Sequence, residues 1–305
     1  MDYGRLTAAY AAMEQTRSRL EIASLLAELF HDTPPEELAA VAHLCLGQLG
    51  PAYDSREIGL SDKSVLRTLA LASGAALAEL QVTYAEAGDI GLVAEEALAT
   101  KAQQPLFEAP LTVSRVWKRL HTLSRETGTG SQERKFRALA ELLHDGTPQD
   151  ARYLCRTAVG KLRLGFSQML LVDGLAEAFG SREERGMVEA AYNRHPDIGW
   201  LAQRAAADFG SLDAVRVEPG IPLRPMLGER LSSAEAVLEK QGGEACFEWK
   251  YDGLRVQAHL LPGGTRLFSR SLEDLTPQFP DVAEALEQAL PTGVIVEGEA
   301  LAIDE

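Results

Sequence analysis

Apolar residues recur at helical spacing through the first two-thirds of the chain. The stretches 20–30, 65–72 and 136–143 each repeat leucine, isoleucine, valine or phenylalanine about every three or four positions. A polar stretch with two prolines at residues 33–36 marks a helix boundary, and few stretches alternate with a period of two. The pattern predicts an all-helical domain over residues 1–212.

The pattern changes after Gly210. Residues 217–227 contain three prolines and cannot be helical throughout, so we expect a linker that ends in an extended segment. A helix is predicted at 233–241. Four short strands are predicted after it, the first three of them as an antiparallel meander, at residues 245–251, 254–261, 265–270 and 294–303. Residues 213–305 are therefore predicted to form an incomplete α+β domain.

Composition is that of an ordinary soluble protein, with 46% hydrophobic and 25% charged residues. No apolar run is long enough to span a bilayer, and the N-terminus lacks the order of a signal peptide, so a cytoplasmic protein without membrane contact is expected. The three cysteines lie far apart, and the six histidines show no ligand spacing. A structural zinc site and a disulfide framework are therefore not predicted.

Basic residues are concentrated in one part of an acidic chain. The net charge is −15, yet residues 112–166 hold eleven basic and five acidic side chains. A basic region of this kind indicates a face that docks phosphates. Charge alone supports equally well a solvated helix surface, and that alternative stays open here.

Two similar segments occur inside the helical region. Residues 56–61 and 162–167 each bring a glycine and a serine to the start of an apolar helix. Ser61 and Ser167 are candidate N-caps, and a helix N-terminus offers free N–H groups to an anion. Two such ends on one face would hold two backbone phosphates; ordinary capped helix starts are the alternative.

The strongest chemical signal is the sequence at residues 247–255, FEWKYDGLR. In an extended strand the aromatic residues Phe247, Trp249 and Tyr251 would share one face and enter a core, while Glu248, Lys250 and Asp252 would share the other. Gly253 would permit a tight turn or a close approach to a ligand. A lysine between two carboxylates and near Arg255 is typical of an activated nucleophile; an exposed, ion-paired hairpin lysine is the alternative.

The K-x-D-G-x-R pattern around Lys250 resembles the signature of the covalent nucleotidyltransferases, which include DNA ligases, RNA ligases and mRNA capping enzymes. Residues 268–276, with Arg270, resemble the second motif of these enzymes. Residues 296–301, with Glu297 and Glu299, resemble the third. Each of the two later segments is weak alone, but they follow Lys250 in the order of the family.

The helical region narrows the resemblance to the ATP-dependent DNA ligases of the replicative type. Four segments resemble their DNA-binding domain and its connection to the adenylation domain, at residues 44–53, 130–135, 159–165 and 221–227. Capping enzymes and most RNA ligases lack this domain. The resemblance implies a helical DNA-binding domain followed by a truncated, ATP-grasp-like α+β adenylation domain.

The resemblance also implies roles for particular residues. Lys250 would attack the α-phosphate of ATP, and AMP would then pass to the 5′-phosphate of a nick, with Mg²⁺ beside the phosphates. Glu248 would accept from the adenine amino group, and Arg255 and Arg270 would hold ribose and phosphates. Glu299 would contact the ribose or help to order the metal. The role of Asp252 is left open.

Further implications concern partners. Nicked double-stranded DNA would be held through its phosphates, with Arg134, Lys135, Lys161 and Arg163 as candidate contacts. A sliding clamp in the cell, a monomeric state, and roles in DNA replication, repair and recombination follow from the resemblance. No phosphate-binding loop of the G-x-x-x-x-G-K-[ST] type occurs.

The later motifs of the family do not follow Glu305, so we expect a fragment with little or no self-adenylation. Two alternatives stay open at this point. The chain could be a DNA-binding module without catalytic activity that retains the motif, or part of an RNA-directed ligase.

Overall fold

The computed structural model describes residues 1–54, 56–100, 111–226 and 228–302. The chain divides into two compact units. A helical unit comprises Met1–Tyr192 and Asp197–Val215, and a sheet-containing unit comprises Asn193–Pro196 and Arg216–Glu305. The sequence-based boundary, between residues 212 and 213, lies three residues before the start of the main segment of the second unit.

Helices form the whole regular structure of the described part of the first unit. Twelve α-helices occur there: α1 (Tyr3–Glu14), α2 (Arg19–His31), α3 (Leu38–Leu44), α4 (Asp62–Ser73), α5 (Leu77–Ala87), α6 (Ile90–Ala99), α7 (Val113–Arg125), α8 (Ser131–Asp145), α9 (Pro148–Ala158), α10 (Gln168–Phe179), α11 (Arg185–Arg194, which runs into the second unit) and α12 (Ile198–Ala207). Short 3-10 helices occupy Ala52–Asp54, Arg182–Glu184 and Phe209–Ala214.

The apolar spacing of the sequence explains this core. The stretches 20–30, 65–72 and 136–143 lie in α2, α4 and α8, where Phe30 and most of their leucines are buried, while Leu20 and Leu71 are exposed. Helix α2 packs against α10, α6 against α9, and α4 against α8. The all-helical prediction for this region is confirmed. None of the helices in the described ranges is long and apolar enough to cross a membrane.

The second unit combines two helices with a three-stranded sheet. Its elements are α13 (Ala234–Lys240), β1 (Leu254–Leu261), β2 (Gly264–Phe268), α14 (Pro280–Ala289) and β3 (Ile295–Ala300). Strand β1 lies in the middle and pairs antiparallel with both neighbours, in the order β2-β1-β3. One face of the sheet packs with α14 to form a small core of Val256, Ala258, Leu260, Leu267, Leu275 and Ala283.

Most of the elements predicted in this unit are confirmed, but the first strand is not. Residues 244–252 form no strand, and the aromatic side chains expected in a core are exposed: Phe247 by 72%, Trp249 by 86% and Tyr251 by 60%. A strand needs a hydrogen-bonded neighbour. Both edges of β1 are already taken: the β1–β2 hairpin forms as predicted, while β3 occupies the edge of β1 that the predicted strand at residues 245–251 would have used.

Candidate active site and nucleic-acid interface

One face of the sheet collects the charged residues of two predicted motifs. In the register of β1 and β3, Arg255 lies opposite Glu299, and Gln257 lies opposite Glu297. Residues directly opposite in an antiparallel pair point to the same face, as do residues two apart on a strand. Arg255, Gln257, Glu297 and Glu299 therefore share a face, opposite to the one that packs on α14.

Two of the predicted nucleotide-binding residues meet in a cleft at this face. The cleft is lined by Leu223, Pro225, Arg255, Gln257, Ser269, Arg270 and Glu297. Arg255 Nη2 donates to Glu297 Oε2 at 2.7 Å. Burial by itself would raise the pKa of Glu297, but the hydrogen bonds from Arg255 and Gln257 hold that pKa below its usual value. The carboxylate therefore stays ionised beside the guanidinium.

A tight turn after β2 presents Arg270. Ser269 Oγ accepts from the backbone N–H of Glu273 at 3.0 Å, and Leu272 N–H donates to the Ser269 carbonyl at 2.9 Å. Leu272 takes a left-handed conformation with φ of 71°. Arg270 is exposed at the head of this turn, so its donors are available to a ligand in the cleft.

Lys250 and Glu248 lie outside the cleft. Both side chains are exposed, and within the part of the chain that the structure describes neither makes a hydrogen bond or an ion pair. Asp252 is exposed as well. The sequence predicted a strand that would carry all three on one face, and that strand is absent.

Gly253 connects the Lys250 segment to β3. A Cβ atom at this position would lie 2.5 Å from the Ala300 carbonyl oxygen and 2.9 Å from Glu299 Cγ. Only a glycine fits so close to the backbone of the neighbouring strand. The glycine of the K-x-D-G-x-R pattern thus holds the chain, three residues after Lys250, directly against Glu299.

Glu299 is the candidate metal ligand, and its carboxylate is exposed. In the described ranges no group of three or more His, Cys, Asp or Glu side chains is arranged to hold a metal ion. Mg²⁺ commonly binds through one or two carboxylates together with substrate phosphates and waters. A single exposed carboxylate opposite Arg255 on the same sheet face can supply one such ligand.

Sequence analysis missed a buried polar network behind the cleft. His259 is fully buried and Gln257 is 5% exposed. Both bind the segment of residues 216–226, since Gly220 N–H donates to His259 Nδ1 at 2.8 Å and Leu223 N–H donates to Gln257 Oε1 at 2.6 Å. The signal available in the sequence was the alternation of Arg255, Gln257 and His259 along a predicted strand.

The two similar segments of the helical unit form two loops. Ile58 and Leu60 are buried in the first loop, and Leu162 and Leu164 are buried in the second. In the first, Ser61 caps α4 by accepting from a backbone N–H, as predicted; Ser167 stands at the start of α10, but its side chain makes no cap hydrogen bond.

The loops lie close together. Lys161 Nζ, at the start of the second loop, donates to Asp62 Oδ2 at 3.0 Å in the first turn of α4. Arg163 has a left-handed backbone with φ of 60°, and its guanidinium donates to the Gly88 carbonyl at 3.0 Å before α6. Gly165, with φ of 75°, turns the chain into α10. The second loop therefore carries two exposed cationic side chains toward the starts of α4 and α6.

The four predicted DNA contacts differ in exposure. Arg134, Lys161 and Arg163 are about half exposed, and each is paired with an acidic side chain, at Glu126, Asp62 and Asp89 respectively. Lys135 differs: it is 7% exposed, and its Nζ donates to the Ile58 carbonyl at 2.7 Å. A buried ammonium that already holds a loop is not positioned to meet a phosphate. We therefore reassign Lys135 to supporting the first loop.

A concave surface beside the second loop is rich in arginine. Its lining includes Arg17, Arg19, Arg152, Arg156 and Arg163, with Glu14 as its one acidic residue. Arg17 and Arg19 lie far in sequence from the basic region 112–166, which is why charge counting within that region missed them. Arg17 and Arg19 are exposed on this surface, whereas Arg152, Arg156 and Arg163 are paired with acidic side chains. Exposed guanidinium groups of this kind can meet phosphate oxygens.

Buried ion pairs support this surface from below. Arg156 makes two bonds to Asp89, at 3.0 and 2.8 Å, and also donates to Glu14. Asp89 also caps α6 by accepting from Gly91 and Leu92. Burial would raise the pKa of Asp89, but the bonds from Arg156 and these N–H groups lower that pKa overall. The charges are therefore fixed before any ligand arrives.

Comparison with known proteins gives consistent matches over both units. A family model described as "DNA ligase N terminus" matches residues 2–176, and one described as "ATP dependent DNA ligase domain" matches residues 225–305. The chain is 43% identical over 309 residues to a protein named DNA ligase from Pyrobaculum arsenaticum, covering 100% of the chain and 52% of that relative.

Two further relatives agree. A DNA ligase 2 from Thermofilum pendens is 43% identical over 313 residues, covering 99% of the chain and 52% of the relative. A DNA ligase 2 from Korarchaeum cryptofilum is 42% identical over 299 residues, covering 97% and 49%. The chain therefore spans about half the length of these curated relatives.

Proposed function

Because the chain belongs to the ATP-dependent DNA ligase family, we propose that it binds nicked duplex DNA and supplies the lysine that carries AMP during sealing of the nick. The chain spans about half the length of its relatives. Sealing of the nick is therefore proposed for a protein that has the full length of those relatives, and not for this chain alone. The ATP-grasp-like architecture of the adenylation domain belongs to the same proposal.

The observation that carries the proposal is the meeting of Arg255 and Arg270 in one cleft. These residues belong to two separate motifs, yet both line the cleft together with Ser269. Guanidinium groups present fixed, forked donors that match phosphate oxygens. Two such groups and a hydroxyl at one small cleft supply donors for the phosphate oxygens of a nucleotide.

Lys250 is the proposed nucleophile. Its Nζ attacks the α-phosphorus of ATP; a nitrogen–phosphorus bond forms, the bond to the β-phosphate oxygen breaks, and pyrophosphate leaves. Arg255 and Arg270 hold the phosphates, Glu248 accepts from the adenine amino group, and Gly253 keeps the segment close to Glu299. Transfers of this kind depend mainly on positioning and on neutralisation of charge. Lys250 is exposed in the free chain, so it has to approach the cleft when ATP binds.

Mg²⁺ is the proposed metal, with Glu299 as its protein ligand. When bound, it would neutralise phosphate charge. The exposed carboxylate of Glu299 and its neighbour Arg255 on the same sheet face are the features of this chain that fit such a role.

DNA binding is proposed for the two loops and the arginine-lined surface of the helical unit. Lys161, Arg163 and Arg134 are exposed cations at or near the loops, and Arg17 and Arg19 extend the basic surface. Such contacts to backbone phosphates do not depend on base sequence. The expectations of a sliding-clamp partner, a monomeric state, and roles in replication, repair and recombination come from the resemblance, and that of a cytoplasmic location comes from the sequence pattern; all of them stay predictions.

The adenylation proposal is tested with radiolabelled ATP and a protein at the full length of the relatives. We expect the wild type to acquire a covalent label and Lys250→Ala to acquire none. Lys240→Ala is the matched control, because Lys240 is an exposed lysine of the same unit that is paired with Glu229. Label retained by Lys250→Ala would contradict the assignment, and an unlabelled wild type would favour a DNA-binding module without catalytic activity.

The DNA proposal is tested by the salt dependence of binding to nicked duplexes. Lys161→Ala and Arg163→Ala are each expected to reduce the slope of log K against log salt by about 1. Arg137→Ala, an exposed residue of α8 paired with Glu133, is the control. Binding that does not change with salt would contradict the proposal, and preference for nicked RNA would indicate an RNA-directed ligase.

A further inference from the structure

Gln257 is a buried glutamine whose side chain is fully hydrogen-bonded behind the cleft. Its Oε1 accepts from Leu223 N–H at 2.6 Å and lies 2.8 Å from His259 Nε2. Its Nε2 donates to the Leu223 carbonyl at 3.3 Å and to Glu297 Oε1 at 3.0 Å. A side chain with both ends engaged has one orientation.

His259 fixes that orientation. Its Nδ1 accepts from Gly220 N–H at 2.8 Å, so its Nε2 must carry the proton that it donates to Gln257 Oε1. Since the amide oxygen of Gln257 faces the histidine, the amide NH₂ group must face Glu297. Each hydrogen bond in this chain therefore has one possible direction: the Gly220 N–H donates to His259, His259 donates to Gln257, and Gln257 donates to Glu297.

Glu297 is shared between this network and the cleft. One carboxylate oxygen accepts from Gln257 and the other accepts from Arg255 Nη2. The position of the buried Gln257 amide therefore fixes the Glu297 carboxylate, and that carboxylate in turn fixes the exposed guanidinium of Arg255. Arg255 makes no other hydrogen bond within the described residues, so its remaining N–H groups are available to a ligand.

We propose that Gln257 is a positioning residue for the nucleotide: by fixing the carboxylate of Glu297, it holds Arg255 in the orientation that meets the phosphates. This inference rests on the proposed function, because it assigns the ligand of Arg255 to ATP. It adds a residue outside the three motifs, on the strand that follows Lys250. Gln257 itself lines the inner wall of the cleft.

The physical effect of removing the Gln257 amide is predictable. Without its N–H donor, one oxygen of Glu297 loses its partner, and the carboxylate can rotate together with Arg255. A guanidinium that is not held in place loses binding energy when it is ordered by the ligand. Because Arg255 contacts phosphates in both ground and transition states, the loss is expected in KM for ATP more than in kcat.

Gln257→Glu changes only the donor end of the Gln257 side chain. A glutamate keeps the acceptor for Leu223 N–H and His259, but a second carboxylate oxygen replaces the group that donates to Glu297 and to the Leu223 carbonyl. In the double variant Gln257→Glu/Glu297→Gln, the amide and the carboxylate exchange places, and the hydrogen bond between them is restored. Val256→Ala is the matched control, since Val256 is the adjacent buried residue on the opposite face of β1.

The experiment measures the rate of lysyl-AMP formation against ATP concentration in the full-length protein, together with thermal unfolding of every variant. We expect Gln257→Glu to raise KM about tenfold, as loss of a hydrogen bond to a charged group does. We expect the double variant to recover most of that loss and Val256→Ala to leave KM unchanged. Gln257→Met, which keeps the volume, replaces Gln257→Glu if the latter does not fold, and the same rise in KM is expected.

If the wild type becomes labelled, either of two results would overturn this inference while leaving the proposed function intact. One is a KM for the Gln257 variants equal to that of Val256→Ala; the other is a double variant no better than Gln257→Glu. A wild type that forms no adduct would instead overturn the proposed function and this inference with it.

Discussion

The helical unit and the sheet-containing unit hold their important charges in opposite ways. In the first, Arg156 is buried and bonded on several sides to Asp89 and Glu14. In the second, Lys250 is exposed and makes no bond among the described residues, although its motif is the most recognisable part of the sequence. Rigid charges suit a surface that receives a preformed DNA backbone. An unattached lysine suits the proposed role of Lys250 as a nucleophile that approaches ATP.

The comparison also separates two kinds of information. Buried pairs such as Arg156 with Asp89 stabilise the fold, but nothing in the local sequence marks them. The Lys250 motif marks chemistry, but its geometry depends on what surrounds it. If the helical unit depends more strongly on its buried charges, loss of Arg156 lowers its stability more than changes at Gly253 or His259 lower the stability of the sheet-containing unit.

The largest effect is expected for Arg156→Met. This change removes the cation that Asp89 and Glu14 share and leaves Arg163 and Arg152 as their remaining cations. Breaking a buried pair costs about 3 kcal/mol of unfolding free energy. Denaturant unfolding followed by circular dichroism measures it. Arg137→Met, an exposed residue of α8, should leave the unfolding free energy unchanged. Equal results for the two variants would mean that the buried network does not stabilise the unit.

A smaller effect is expected for Gly253→Ala. The added methyl group would meet the Ala300 carbonyl at 2.5 Å, and overpacking of this kind costs about 2 kcal/mol. Hydrogen exchange of the β1 and β3 amides reports the loss locally. Gly263→Ala is the control, because a Cβ there has no neighbour within 4 Å. Unchanged protection in Gly253→Ala would show that the motif glycine has no packing role.

The smallest effect, counted for a change of one pH unit, is a pH dependence in the sheet-containing unit. Burial, with a contribution from Arg266, lowers the pKa of His259 from 6.5 to about 4. Between these values the unfolded state binds a proton that the folded state does not, so stability is complete above pH 6.5 and decreases as the pH falls toward 4. The expected decrease is about 1 kcal/mol per pH unit.

This pH dependence is measured by hydrogen exchange of the β1 amides after correction for the intrinsic rates. His259→Gln, which has no titrating group, should show no such decrease between pH 6.5 and about 5, above the range in which carboxyl groups titrate. A wild type with constant protection over that interval would contradict the assignment of His259 as a buried neutral side chain.

Helical periodicity was sufficient to predict the helices of the first unit, because leucines spaced every three or four residues share one face only when the segment is helical. Alternation was sufficient for β1, whose predicted bounds agree with the structure. It failed at residues 245–251, since the pattern describes which faces a strand would have but not whether a neighbouring strand is present. Trp249 is exposed for that reason.

The candidate site was predicted in part for a similar reason. Motif spacing led to Arg255 and Arg270, which line one cleft. Counting charges led to Lys135 as well, because a count does not distinguish an exposed ammonium from one that donates to Ile58. Gln257 was missed because its importance lies in contacts to Leu223 and Glu297, which are distant in sequence.

The central claim is that Lys250 carries AMP, and peptide mapping of the adenylated full-length protein tests it most directly. After incubation with ATP and Mg²⁺, mass spectrometry should find a single AMP group, on the Lys250 side chain of the peptide that also contains Glu248 and Tyr251. AMP on a different residue, or an adduct still formed by Lys250→Arg, would contradict the claim.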